Sequence, residues 1–392
     1  MEIESLTIQD VGGISSLKLE KLNPHLNIIC GENGIGKTNI IESVTACFTR
    51  YSQNKLKKKA DSNRGLVKLS ITNIDEEFKK IEYIVDSFYP RENNNHNNHL
   101  NLYQFWKNYS KFLMYFKVDR FFSYQPIDSL KIYDNKDEHT DQNLNGVSRN
   151  NLKDWFIINE FLSKQEYAVE VNKKNIGYAK EAIALLNYNY SFSSIKQDME
   201  IYINSPTGEI PYEYLSSGFK SCLFIIWGII REIQIRFPDI DAKKFNGIII
   251  IDEIELHLHP EWQNKICNVL KRAFPNTQFI VTTHSPHVIQ TAEHNQVIAL
   301  EGINGILNKK DLESARNGFN GWSIEEILTD VMGMRDLRTE WYRLTLSKFN
   351  TALDEENVES AKAIFSELET RLHPQSTELT LFRFQLKALT GE

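Results

Sequence analysis

The stretch that decides the fold is GENGIGKT, at residues 31–38. It fits the pattern GxxxxGK[ST] and stands between an apolar run at 26–30 and the helix-forming segment NIIESVTACF at 39–48. Glycines let backbone N–H groups face one concavity, and the helix that follows presents its positive N-terminal end to phosphate groups. The order strand, glycine-rich loop, helix therefore predicts a P-loop that binds ATP together with Mg²⁺.

The side chains and backbone of this loop have separate predicted roles. Lys37 would reach the β- and γ-phosphates, and the Thr38 hydroxyl would ligate Mg²⁺. The predicted nucleotide-binding residues are Asn33, Gly34, Ile35, Gly36, Lys37 and Thr38. Upstream, residues 2–8 and 14–20 alternate between apolar and polar, with Gly12 and Gly13 between them, which predicts an N-terminal β-hairpin.

A second motif lies far downstream, where the apolar run GIIII at 247–251 is followed by Asp252 and Glu253. Such continuous apolar strands are buried on both faces, as in a parallel sheet, and ligands bind beyond the strand's carboxyl end. Asp252 would hold Mg²⁺, and Glu253 would be the general base that polarises the attacking water. An acidic pair after a strand is common by itself, and the P-loop upstream favours the catalytic interpretation.

Two weaker motifs flank this strand. LSSG at 215–218 precedes a predicted helix over 217–236, and TTHSP at 282–286 follows a predicted strand over 278–283. Alone, a Ser/Gly turn before a helix is usually an N-cap, and a single histidine after a strand is usually a surface or core residue.

The order of these four motifs resembles that of the ATP-binding cassette (ABC) superfamily. The resemblance implies that Glu253 is the catalytic glutamate and that His284 contacts the γ-phosphate. It also implies a homodimer or higher homo-oligomer in which Ser216 and Gly218 act on the partner's γ-phosphate. Phe219 and Lys220 replace the glycine or glutamine that usually follows LSSG in this superfamily.

The opening hairpin and P-loop resemble those of RecF- and SMC-like ATPases. The run DEIELHLHP at 252–260 is similar to the DEPExxLHP signature of OLD-like and AAA-type RecF-related ATPases, with Ile254 in place of the usual proline. The C-terminal helical segments, at 338–370 and 374–390, resemble the tails of PtuA-like antiphage defence ATPases. The similarity covers about 1–50 and 211–300.

Two predicted assignments, the Q-loop glutamine and the role of His257 and His259, have alternative interpretations. The ABC resemblance implies a Q-loop glutamine, for which Gln125 is the candidate and Gln104 the alternative, while each could equally be an ordinary surface residue; Arg120 nearby could serve the phosphates or pair with a carboxylate. His257 and His259 could ligate a metal, but no Cys or His cluster supports a separate site.

The predicted fold class is α/β: an ABC-type P-loop NTPase with a mixed β-sheet core, the N-terminal β-hairpin, a large helical and loop insertion and a C-terminal helical tail. Residues 1–50 and 211–302 would form the ATPase core, 51–210 an insertion, and 303–392 the C-terminal helical region. Within the insertion, KFLMYFKVDRFF at 111–122 predicts a buried strand and 154–187 is predicted to be mostly helical.

Composition narrows the class of protein. Of 392 residues, 45 are Lys or Arg and 52 are Asp or Glu, and this net charge of −7 argues against a surface wholly devoted to nucleic acid. A local basic cluster could still contact nucleic-acid phosphates, although a solvated surface is the favoured interpretation. This cluster contains Lys55, Lys57, Lys58, Lys59 and Arg64. The four scattered cysteines, the lack of a signal-peptide pattern and the short apolar runs predict a cytoplasmic protein without a membrane segment.

The predicted activity is ATP hydrolysis that gates or drives a partner effector. The family resemblance implies antiphage defence, with a nuclease or toxin as effector, and the chain contains no Toprim-like acidic block or HNH-type His/Asn pattern. One alternative is an ATP-locked scaffold or sensor that sequesters an effector, and another is a RecF/SMC-like DNA repair ATPase. A transporter ATPase is disfavoured by the missing LSGGQ.

Overall fold

The computed structural model describes residues 1–49, 56–89, 100–118, 143, 146–147, 152–334 and 337–391. It divides into two compact units, Met1–Gly333 and Met334–Glu392. The first contains the β-sheets and most of the helices, and the second is helical.

Within the described part of the chain, ten strands of the first unit form one sheet in the order β5-β4-β1-β2-β13-β12-β3-β11-β10-β6. Three more form a small antiparallel sheet, β7-β8-β9. The strands are β1 (Glu2–Val11), β2 (Ile14–Leu19), β3 (Leu26–Gly31), β4 (Gly65–Thr72), β5 (Lys80–Val85), β6 (Leu113–Phe116), β7 (Ser191–Ile195), β8 (Ile201–Ser205), β9 (Gly208–Pro211), β10 (Ile248–Ile251), β11 (Gln278–Thr282), β12 (Val297–Ile303) and β13 (Ile306–Lys309).

The helices of the first unit cover both faces of the large sheet. They are α1 (Lys37–Cys47), α2 (Leu100–Tyr109), α3 (Leu152–Ser163), α4 (Glu170–Leu186), α5 (Ser217–Arg236), α6 (Pro260–Ala273), α7 (Pro286–Gln290) and α8 (Ile324–Glu326), which continues as a π-helical turn over Ile327–Val331. No described helix combines the length and the apolar character needed to cross a membrane.

The half of the sheet that carries the predicted motifs is parallel: β12, β3, β11, β10 and β6 run in one direction. The four isoleucines of β10 are completely buried. Ile249 and Ile251 face the core formed with α3–α6, whereas Ile248 and Ile250 face the core formed with α1. Burial on both faces explains why this strand is uniformly apolar.

The other half of the sheet is antiparallel. β1 pairs with β2 across the predicted hairpin and with β4 on its other side, and β4 pairs with β5. Parallel and antiparallel strands therefore share one sheet, which confirms the predicted α/β class with a mixed sheet. The predicted strand within 111–122 is β6, and the predicted helical span 154–187 contains α3 and α4.

The division into core, insertion and C-terminal region remains a prediction. The large sheet takes β4, β5 and β6 from within 51–210. β4 alternates between buried and half-buried or exposed residues, but its partner β1 precedes it by about sixty residues, so a local pattern could not reveal the pairing.

The second unit contains α9 (Glu340–Asp354), α10 (Val358–Arg371) and α11 (Thr377–Thr390), packed around Phe349, Leu368 and Leu379. The predicted helical segment 338–370 contains two helices, α9 and α10. Glu356 adopts a left-handed conformation at φ 53°, and the Asn357 side chain then accepts a 3.1 Å hydrogen bond from the Ser360 N–H to begin α10.

Candidate functional site

The P-loop joins β3 to α1. Gly31, Gly34 and Gly36 have φ angles of 144°, 77° and 107°, which side-chain-bearing residues rarely adopt. Gly36 is the N-cap of α1 and supplies no side chain to cap it. The first N–H groups of the helix therefore remain available to an anion, and this geometry fits a phosphate group.

Lys37 is only 5% exposed although it carries a charge. Its Nζ donates hydrogen bonds to the carbonyl oxygens of Gly31 at 2.9 Å and Glu32 at 3.0 Å. Burial lowers the pKa of the Lys37 ammonium below its ordinary value. The carboxylates that follow β10 act in the opposite direction, so they lie within electrostatic reach of the P-loop; they are Glu255, Glu253 and Asp252.

Three loops meet because β11 lies between β3 and β10 in the parallel half of the sheet. The carboxyl ends of these strands carry the P-loop, the pair Asp252 and Glu253, and the segment that contains His284. The sheet thus brings Lys37, both acidic residues and the His284 loop to one edge, where α/β sheets bind ligands.

Thr282 connects the two acidic residues. Its Oγ1 donates to Asp252 Oδ1 at 2.5 Å and accepts from the Glu253 N–H at 2.8 Å. Asp252 is 3% exposed, whereas Glu253 is half-buried and has φ 46°, a conformation that non-glycine residues adopt mainly where surrounding contacts impose it. Sequence reasoning missed Thr282, although it stands within TTHSP.

His284 has an exposed side chain and a fixed backbone. Its N–H donates to Glu255 Oε1 at 2.5 Å, and the Thr283 hydroxyl donates to Glu255 Oε2 at 2.7 Å. Glu255 stands in DEIELHLHP, and sequence reasoning assigned it no role. Its spacing of two residues after Glu253 was the available signal.

The LSSG segment begins α5. Ser216 is exposed, and its Oγ accepts from the Phe219 N–H at 3.3 Å. Gly218 is buried: a Cβ there would lie 3.3 Å from Trp262 Cδ1 and 3.6 Å from the His257 carbonyl oxygen. Gly218 therefore packs on the loop that follows Asp252 and Glu253.

The remaining candidates lie apart or outside the described residues. His257 is exposed at φ 65°, and His259 uses Nδ1 to accept from the Glu261 N–H at 3.4 Å, as the cap of α6. Among the described residues, no group of three or more His, Cys, Asp or Glu side chains could hold a metal ion. Gln104 is exposed on α2, and Gln125 and Arg120 lie outside the described residues.

Comparison with known proteins identifies the family of this chain. A family described as "AAA domain, putative AbiEii toxin, Type IV TA system" matches residues 26–290. The Septu protein PtuA of Bacillus thuringiensis is 37% identical over 98% of this chain and 97% of its own length. The chain belongs to the PtuA family of AAA-domain ATPases.

A more distant relative is the "Retron Vc95 probable ATPase" of Vibrio cholerae serotype O1 biovar El Tor, which is 26% identical over 76% of this chain and 73% of its own length. Among solved structures, an SMC head bound to the C-winged helix domain of ScpA matches with a TM-score of 0.50, covering 80% of this chain and all of that chain. At 16% identity this likeness establishes the fold alone.

Proposed function

We propose that this chain binds and hydrolyses ATP with Mg²⁺, dimerises around the nucleotide, and thereby gates a partner effector, a nuclease or toxin, in antiphage defence. One observation carries the proposal: β3, β11 and β10 are adjacent and parallel, so Lys37, Asp252, Glu253 and the His284 loop meet at one sheet edge. This combination of a lysine, an acidic pair and a helix N-terminus suits phosphoryl transfer to water.

Each residue has a proposed role. The backbone of residues 33–38 and Lys37 hold the phosphates, and Thr38 and Asp252 hold Mg²⁺. When bound, Mg²⁺ neutralises charge on the β- and γ-phosphate oxygens. Glu253 accepts the proton of the attacking water, and His284 contacts the γ-phosphate. Thr282 keeps Asp252 and Glu253 in fixed relation through its two hydrogen bonds.

The proposed dimer assigns Ser216 and Gly218 to the partner's nucleotide. Ser216 is exposed at the N-terminus of α5, where its hydroxyl and the first N–H groups of a 20-residue helix can meet an anion. Gly218 links this helix start to the loop after Glu253, so the two loops of one protomer would move together.

The proposed partners are an effector protein and nucleic acid. The relatives are named as a Septu protein and a retron ATPase, and the family description names a toxin, which supports an effector in defence. Nucleic acid is a further proposed partner. Lys58 donates a hydrogen bond to the Ser62 carbonyl oxygen at 2.6 Å, and Lys59 donates one to the Ser15 hydroxyl oxygen at 2.7 Å. Because these oxygens are uncharged, the bonds do not neutralise the lysine charges that would attract phosphates. Lys55, which belongs to the same basic cluster, lies outside the described residues.

We also propose that the protein is cytoplasmic.

Steady-state ATP turnover tests the activity, using wild type, Glu253→Gln, and the exposed control Glu261→Gln. We expect turnover in wild type and the control, and loss of turnover with retained ATP binding in Glu253→Gln. Equal, near-zero rates with tight ATP retention would instead support a scaffold. Stimulation by DNA alone would support a repair ATPase.

The partner is tested by purifying the tagged protein from its native host and identifying bound protein and nucleic acid. A nuclease or toxin that is released or activated on ATP turnover is the expected result. Isolation of a membrane permease would contradict the proposal and restore the transporter alternative.

A further inference from the structure

We infer that Glu255 is a positioning residue, which holds His284 in the orientation needed to distinguish ATP from ADP. This inference rests on the proposed function. Glu255 lies in the loop after β10 and contacts the loop after β11.

Glu255 uses both carboxylate oxygens on the His284 segment. Oε2 accepts from the Thr283 hydroxyl at 2.7 Å, and Oε1 accepts from the His284 N–H at 2.5 Å. A hydrogen bond to a carboxylate is shorter and stronger than one between neutral groups. One bond holds the backbone N–H of His284 and the other holds the side chain of the preceding residue, so together they tie this segment to the loop after β10.

His284 lies in a short connection between two elements, and its N–H is bonded to Glu255. β11 ends at Thr282 and α7 begins at Pro286, so His284 belongs to neither a strand nor a helix. Its imidazole is exposed. The direction in which the imidazole projects therefore depends on its backbone, and that backbone is bonded to Glu255.

The segment held by the two Glu255 hydrogen bonds is also bonded to α6. Thr283 Oγ1 accepts from the Ser285 N–H at 3.0 Å, and the Ser285 hydroxyl donates to Gln263 Oε1 at 2.6 Å. Gln263 in turn donates to the Leu258 carbonyl oxygen at 2.7 Å. The His284 segment is thus tied at two points to the loop that carries Glu253, and the two loops would hold one relative position.

The negative charge of Glu255 is a second feature of this residue. The Glu255 carboxylate lies close enough to Lys37 to raise the pKa of that ammonium, and Lys37 is proposed to hold the phosphates. A negative charge there opposes nucleotide binding, so it would not be expected to serve affinity. Its geometry serves the His284 backbone instead, which predicts that removing the charge without removing the hydrogen bonds is well tolerated.

The test compares Glu255→Gln, Glu255→Asp and Glu255→Ala, alone and in a His284→Ala background. Glutamine keeps the length: its Oε1 can accept from the His284 N–H, and its amide can donate to a lone pair of the Thr283 hydroxyl, which reverses that bond and turns the hydroxyl proton toward another acceptor. Aspartate keeps the charge but is one methylene too short to reach. The matched control is Glu261→Gln, which changes an exposed carboxylate on α6.

The main readout is calorimetric affinity for a non-hydrolysable ATP analogue relative to ADP, with ATP turnover measured beside it. We expect Glu255→Ala and Glu255→Asp to lose about 10-fold in the affinity ratio and about 10- to 100-fold in turnover, because a displacement near 1 Å has effects of that size. Glu255→Gln should stay within about 3-fold of wild type, and Glu255→Ala should add little to His284→Ala.

Three results would overturn the inference. A glutamine variant as impaired as the alanine variant would make Glu255 a charge-dependent or proton-accepting group. Losses that multiply in the double variant would show that Glu255 acts independently of His284. An affinity ratio that stays unchanged in folded Glu255→Asp would remove the positioning role. If wild type binds ATP without hydrolysing it, the proposed turnover fails, but the affinity ratio still decides the role of Glu255.

Discussion

Thr282 Oγ1 donates a 2.5 Å hydrogen bond to Asp252 Oδ1, which ties the carboxyl end of β11 to that of β10. The same hydroxyl accepts from the Glu253 N–H. From a neighbouring strand, one side chain therefore holds both the carboxylate of the proposed magnesium ligand and the backbone N–H of the proposed general base.

Replacing Thr282 by valine keeps the shape but removes both hydrogen bonds. We expect ATP turnover to fall about 10-fold or more, because Asp252 and Glu253 lose their common partner, and the free energy of unfolding to fall by about 1–3 kcal/mol. Thr282→Ser keeps the hydroxyl and should stay near wild type. Turnover assays and urea unfolding check both, and equal behaviour of the two variants would contradict the role of the hydroxyl.

Lys37→Ala should abolish ATP binding, because Lys37 is the buried cation at the bottom of the P-loop and is proposed to hold the β- and γ-phosphates. Calorimetric titration with ATP and Mg²⁺ measures this directly. Lys265→Ala, an exposed lysine on α6, is the control and should bind normally. Unchanged affinity in Lys37→Ala would refute the P-loop assignment.

Lys37→Met should make the nucleotide-free protein more stable at neutral pH, because burial lowers the pKa of Lys37 and its charge therefore costs folding free energy. As pH rises from the lowered folded value toward the ordinary 10.5, wild type folds with a neutral lysine while its unfolded chain still binds the proton. The advantage of the methionine variant should therefore shrink. Melting temperatures across that range test this, and a pH-independent difference would contradict it.

Ser216→Arg should block hydrolysis without blocking ATP binding, since Ser216 is proposed to act on the partner's nucleotide. Mixing this variant with Lys37→Ala sharpens the test. In a symmetric dimer, a mixed pair contains one site with an intact P-loop and an intact LSSG, so mixing should restore up to about a quarter of wild-type turnover. A mixture as inactive as its components would count against composite sites.

Gly31→Ala should destabilise the fold and weaken nucleotide binding. Gly31 has φ 144°, and a Cβ would stand 2.8 Å from the Leu300 carbonyl oxygen, so backbone strain and a clash add. A loss of about 1–3 kcal/mol from the strained conformation alone is expected. Gly34→Ala, at φ 77° with no atom within 4 Å of the new Cβ, is the control and should lose less. Equal losses would show that the Leu300 contact is unimportant.

Much of the fold follows from local sequence patterns. The hairpin around Gly12 and Gly13, the strand of four isoleucines and the helix of 217–236 are visible because alternation, uniform burial and helical spacing are short-range signals. The pairing of β4 with β1 and the small β7-β8-β9 sheet were not visible, because strand partners distant in sequence leave no local mark.

The sequence by itself determined the chemical inventory: a P-loop with Lys37 and Thr38, an acidic pair at Asp252 and Glu253, and a histidine at 284, each at the end of an apolar strand. Only the tertiary structure decided that β11 lies between β3 and β10, and hence that Thr282 bonds to Asp252 and Glu255 to the His284 backbone. The reason is physical: a motif is a property of neighbouring residues, whereas strand order and hydrogen bonds between loops arise when strands distant in sequence share one buried sheet.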